Sequence, residues 1–231
     1  MIPFLQHTTH WIDRSSHTEL WVFVLMVFTL LLVGVVRLAN IMQHRFAIQT
    51  FVTKPRTHLE YIDKGISFNG LALIQVLISC IILAFVVYSF VANSNLLSGM
   101  DSWRQYLLLM LGVVVVYTLK YAVHHIVGTV LQSDEITQLS VLSIVNMQYA
   151  VSLFLFPFMM AWYYMPSDAF KYYVQLGLIV VLIGYWLWRL AKIVFVYYNY
   201  FPFSKVYLIF YLCALEISPV LIAWRYALTV A

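Results

Sequence analysis

Residues 66–91 read ISFNGLALIQVLISCIILAFVVYSFV, twenty-six positions without a single Asp, Glu, Lys or Arg. At about 1.5 Å per helical residue the run is roughly 39 Å long, more than the roughly 30 Å of hydrocarbon in a bilayer. A helix apolar on almost every side has no polar face to turn toward water, so the segment reads as a membrane span. The same pattern recurs outward from it. With Ile66 to Val91 as the second span, others run from Leu20 to Val36, Trp103 to Val123, Ser140 to Met165, Tyr172 to Leu190 and Val206 to Ala227.

Composition agrees with this reading. Of 231 residues, 64% are hydrophobic and 10% are charged, against roughly 25% charged in an ordinary soluble domain. The alternating ten-residue pattern of an outer-membrane barrel is absent. The expected fold class is an all-α integral membrane protein with about six transmembrane helices in a compact bundle. Residues 1–19 form an outer N-terminal tail and 20–231 a single membrane domain.

Six spans divide the basic residues into two sets. Arg37, Arg45, Lys54, Arg56, Lys64, Lys120, Arg189, Lys192 and Lys205 fall on one side, and Arg14, Arg104, Lys171 and Arg225 on the other. Nine against four places the first set in the cytoplasm and both termini outside. No cleavable signal is recognisable, because the first basic residue is Arg14 and no small-residue cleavage site follows the first apolar run. Cys80 and Cys213 fall within spans, where a thiol acts as a small apolar group, so no disulfide framework is expected.

The loops are short, and the largest piece outside the spans is 37–65. In it Leu38, Ile41, Met42, Phe46 and Val52 recur at helical spacing among Arg37, Gln43, His44, Arg45 and Gln49. This predicts a basic amphipathic extension of the first span that ends before Pro55 and rests on anionic lipid of the inner face. Arg45, Lys54 and Arg56 are the candidate lipid-binding residues. A docking surface for a partner protein is the competing reading.

Tyr117 is followed at spacings of three and four by Lys120 and Tyr121, these by His124, and His124 by Gly128. Lys120 and His124 therefore share a helix face near the inner leaflet. A proton or ion entry site is one reading, since histidine titrates near neutrality and a buried lysine shifts toward it. A snorkelling lysine beside interfacial histidines is the other. His124 and His125 are adjacent and point apart, which argues against a shared metal. His7, His10 and His17 sit in a tail whose apolar residues suit the headgroup region better than a zinc site. Haem with two histidine ligands would need histidines deep in two spans. No metal or cofactor is expected, nor is nucleic acid. Phosphate-loop, nucleophile-elbow and zinc-protease patterns are absent. Seventeen tyrosines and seven tryptophans collect near span ends, as in Trp162-Tyr163-Tyr164, and read as interface belts. Internal duplication is weak, because Pro157 and Pro219 have no counterparts in the first three spans.

Glu216 stands alone in the last span, eleven residues after Lys205 and nine before Arg225. An acid near the bilayer midplane costs about 2.5 to 3.5 kcal/mol on insertion scales. Without a cationic partner it should be neutral at pH 7 and donate a hydrogen bond. Pro219 removes a backbone donor and frees the Leu215 carbonyl beside it.

The stretch FYLCALEISPVL, residues 210–221, resembles the C-terminal hallmark of an uncharacterised polytopic inner-membrane family of Bacteroidetes, centred on Leu-Cys-x-Leu-Glu-Ile-x-Pro. The resemblance implies a cytoplasmic-membrane location and brings no activity. Two function classes follow from the residues. One is a non-enzymatic subunit or assembly factor acting through contacts with other membrane proteins, with Glu216 as a structural or coupling acid. The alternative is a small proton-coupled transporter in which Glu216 binds a proton or substrate and Lys120 with His124 lines the inner path. A membrane enzyme acting on lipid is a third, supported by the inner polar cluster alone.

Overall fold

A computed structural model describes residues 20–49, 70–91, 100–130, 134–165 and 167–200. The described residues form six helices: α1 (Leu20–Ala39), α2 (Ile41–Gln49), α3 (Gly70–Val91), α4 (Ser102–Val130), α5 (Asp134–Tyr164) and α6 (Asp168–Tyr200), and no strand is found among them. All of these except α2 are long and apolar enough to cross a membrane. Five of the six expected spans are thus present, and the sixth, Val206 to Ala227, lies outside the described residues. The tail 1–19 and residues 50–65 of the expected basic segment lie outside them too.

The helices overrun their apolar stretches. The third span was expected to end at Val123 and the helix continues to Val130; the fifth was expected to end at Leu190 and α6 runs to Tyr200. Hydropathy marks the part of a helix that hydrocarbon covers, whereas the helix itself continues until its backbone bonding is interrupted. Starts are set by capping. The Asp101 carbonyl accepts the Arg104 and Gln105 amides ahead of α4, and the Ser167 carbonyl and hydroxyl accept the Lys171 and Phe170 amides ahead of α6.

The basic segment differs from a plain extension of α1. The chain breaks at Asn40, whose amide still bonds the Val36 carbonyl, and α2 turns onto α5. His44 Nδ1 and Tyr149 Oη share a 3.2 Å hydrogen bond, and their rings meet edge to face. A bond to α5 redirects α2 in a way no local pattern specifies.

Helix α3 is central and packs on α5, α4 and α1, while α5 also meets α6, α2 and α4. Both α3 and α5 bury 56% of their most apolar stretch, against 6% for α4. The bundle is therefore two inner helices flanked by three whose surfaces are mostly open. At the end away from α2, Phe85 (α3) lies against Trp21 (α1), Tyr106 (α4), and Trp162 and Tyr163 (α5), with ring centroids 6.1–6.5 Å apart. Trp162 is buried in this cluster and Tyr163 half-buried, both within the last turn of their span. Tyr106 Oη also donates to the Ile81 carbonyl at 3.2 Å, and Gln175 Nε2 donates to the Ser89 carbonyl at 2.6 Å, pinning α4 and α6 to α3. Pro157 lies inside α5 without ending it, and its missing N–H leaves the Leu153 carbonyl without the usual helical donor.

Candidate functional site

At the α2 end, the interior changes from aromatic to polar. Five residues into α3, Gln75 is fully buried; on α5, Asn146 and Gln148 are 0% and 2% exposed, and on α6 Arg189 is 7% exposed. All four stand in the last two turns of their spans on the side where α2 docks. At roughly 1.5 Å per residue, this puts them within about 10 Å of the span ends.

The helices hold these groups without saturating them. Ser79 Oγ donates to the Gln75 carbonyl at 2.8 Å, and Ser152 Oγ to the Gln148 carbonyl at 2.9 Å, so each serine serves its own backbone and leaves the amide side chain unspent. The Nε2 and Oε1 of Gln75 and Gln148, the Nδ2 and Oδ1 of Asn146 and the hydroxyl of Tyr121 are buried without a hydrogen-bond partner. Each amide offers two donors and an acceptor. In a low-dielectric interior an unpaired group of this kind costs about 1–3 kcal/mol. Three such amides stand at this end of the bundle, which makes it the candidate site.

Arg189 is the buried cation of this end. Tyr117 and Tyr121, stacked at 6.3 Å on α4, and Tyr185, one turn before Arg189 on α6, lie within its electrostatic range. Phenol hydroxyls can accept from guanidinium and donate onward, so the arrangement can hold a polar or anionic group against α6. Among the described residues no cluster of three or more His, Cys, Asp or Glu could hold a metal.

Lys120 is half-buried on α4, one turn from Tyr117 and next to Tyr121, and Arg45 is exposed on α2. The backbone of His124 continues α4, but its side chain is outside the described residues. Glu216, Lys54 and Arg56 are outside them as well. The structure therefore brings Lys120 to the edge of the polar region and leaves its proposed pairing with His124 untested. The sequence reading missed Gln75, Asn146, Gln148 and Arg189. Arg189, at the inner end of the fifth span, was expected only as one of the nine basic residues of the cytoplasmic side. The amides carried a legible signal: each interrupts an apolar run of a span, as Glu216 does.

A model of the DUF4271 family matches residues 22–227. The chain belongs to this family, a domain of unknown function. No curated protein and no solved structure matches it. The match runs through all five described spans and past Glu216, so the polar end belongs to the family domain.

His44, outside the spans, yields a pH prediction. Burial, and next the Arg37 guanidinium, hold its imidazole below the ordinary value of 6.5. The docked state therefore binds fewer protons than the undocked one, and docking of α2 strengthens as pH rises. It should be at full strength above pH 6.5 and weaken as pH falls below it. Hydrogen exchange of the α2 amides, corrected for intrinsic rates, should show protection falling with acidification, and His44→Gln should remove the pH step. Protection that is flat with pH in the parent protein would rule this out.

Proposed function

We propose that the chain is a non-enzymatic subunit or assembly factor of a cytoplasmic membrane that works by contacting other membrane proteins. The observation that supports this most directly is the uneven burial of the spans. α4 leaves 94 of every 100 residues of its most apolar stretch unburied, including Leu107, Leu108, Leu111, Val115 and Leu119. Lipid-like surfaces of that extent suit recognition through spans. Between α1, α3 and α5 lies a partly open cavity of about 20 Å³, lined by Thr29 and apolar residues such as Phe85 and Met159, with room for about one water-sized molecule.

The proposal includes six spans in a compact bundle, the last carrying the Leu-Cys-x-Leu-Glu-Ile-x-Pro motif of a Bacteroidetes family. It also includes both termini outside, on the nine-to-four basic bias, and anionic lipid beneath Arg45, Lys54 and Arg56. Two readouts test it. A photo-crosslinking residue at Leu111 or Val115 should capture the same membrane protein in fixed proportion, while one at buried Ile78 captures none. Reporters fused after Gly65 and after Ala231 should report cytoplasm and exterior respectively. Lipid adducts alone from the α4 face would defeat the subunit reading. The transporter reading would then lead, and the unpaired amides of Gln75, Asn146 and Gln148 are the observation that favours it.

A further inference from the structure

We propose that α4 and α6 hold the phosphate of one anionic phospholipid among Lys120, Arg189 and Lys192, at the α2 end of the bundle. Both helices start beside the C-terminal half of α3, where Tyr106 Oη donates to the Ile81 carbonyl and Gln175 Nε2 to the Ser89 carbonyl, and both run back along it. Tyr117 and Tyr121 of α4 lie within electrostatic range of Tyr185 and Arg189 of α6. The members of each pair are four residues apart, so the two helices stand side by side over a shared turn. Lys120 directly precedes Tyr121, and Lys192 follows Arg189 by three residues. The three cations therefore fall within about 6 Å of one another in depth.

The donors of this layer exceed what the fold consumes. Arg189 is buried, and Lys120 and Lys192 are half-buried. A guanidinium and an ammonium each carry several N–H donors, so a contact that each makes within the fold leaves others for a ligand. The hydroxyl of Tyr121 and the Nε1 of Trp186, three residues before Arg189, are buried without a hydrogen-bond partner. An indole N–H can only donate, so the group it awaits is an acceptor. Converging cations with further donors beside them suit a phosphate, whose oxygens accept several charge-assisted hydrogen bonds at once.

Depth and surroundings make that phosphate a lipid's. The apolar stretches of α4 and α6 end at Val123 and Lys192. Lys120, Arg189 and Lys192 thus lie within about one turn of the hydrocarbon edge, the level of the headgroups, where basic pockets between spans bind anionic lipid. Toward the bilayer centre the flanks are apolar and open: Val116 and Leu119 of α4 and Ile183 and Leu187 of α6 are exposed, a surface for acyl chains. The site is separate from the lipid surface beneath α2 and stands whether or not the chain is a subunit.

The test uses the full chain, stripped of lipid in mild detergent, with phosphatidylglycerol, phosphatidylcholine and inorganic phosphate as probes. Phosphatidylglycerol should raise the melting temperature saturably, and neither of the others should match it. Lys120→Gln/Lys192→Gln, which changes half-buried side chains only, should raise the half-saturating concentration about tenfold or more. Arg104→Gln, exposed at the opposite end of α4, should leave it unchanged. Equal stabilisation by phosphatidylcholine or by inorganic phosphate would overturn the lipid assignment, as would a double variant that binds like the parent or an equal loss in Arg104→Gln. A second measurement needs no variant: phosphatidylglycerol with a photoreactive acyl chain should label the parent protein around Leu119 and Leu187. Labelling there no stronger than on the open face of α1 would overturn the site, even where the double variant fails to fold.

Discussion

Phe85→Ala should lower the melting temperature in mild detergent more than any substitution on a lipid-facing surface. Phe85 is 4% exposed and touches rings from three other helices: Trp21, Tyr106, Trp162 and Tyr163, besides Tyr88 of its own. Truncating a buried phenylalanine costs roughly 3–5 kcal/mol through lost contacts and the cavity left behind. Each aromatic pair adds about 0.5–1.5 kcal/mol beyond area. In a bilayer the apolar transfer term shrinks, since lipid receives the side chain as readily as the core does, so the packing term carries the loss. Phe85→Leu should lose less than half as much. Leu111→Ala, on the open face of α4, should change little. Equal melting for Phe85→Ala and Leu111→Ala would mean that the aromatic cluster does not hold the four helices together.

Gln75→Leu should act in the opposite direction. The side chain is fully buried and both amide atoms lack partners, so leucine of similar volume removes a desolvated polar group and adds dispersion contacts. A gain of about 1 kcal/mol or more is expected on the usual cost of an unsatisfied amide. A group that destabilises its own fold is kept for what it binds, so the same variant should impair complementation of a deletion strain. Asn146→Leu offers a second trial with a larger volume change and a smaller net gain. If Gln75→Leu melts lower than the parent and complements fully, Gln75 is an ordinary structural amide and the polar end loses its standing as a site.

The site was partly legible in advance. Lys120 was singled out for sharing a helix face with His124 near the inner leaflet, and it stands half-buried beside Tyr121 on α4. Arg189 counted only toward the basic bias of the cytoplasmic side, because it stands next to the last residue of its expected span. Hydropathy averages over a window and cannot say whether a cation near a span end points to water or into the bundle. Gln75, Asn146 and Gln148 interrupt apolar runs but carry no charge, and whether an amide in a span faces lipid or a neighbouring helix is set by packing.

Twenty-residue apolar runs by themselves determined that the chain is helical and where five membrane-length helices lie. Backbone groups in hydrocarbon must bond within their own segment, and such runs leave the helix as the available answer. Which spans are interior was decided by tertiary structure: α1 and α3, with mean hydropathy 2.7 and 2.8, bury 22% and 56% of their apolar stretches, and α4 and α5, with 1.9 and 1.6, bury 6% and 56%. The docking of α2 on α5 was decided there too, through His44 and Tyr149, which are 105 residues apart. So was the gathering of Gln75, Asn146, Gln148 and Arg189 at one end. Membrane insertion responds to each segment's own hydropathy, whereas the assembly of a polar site depends on rotation and register between helices, and no single segment encodes those.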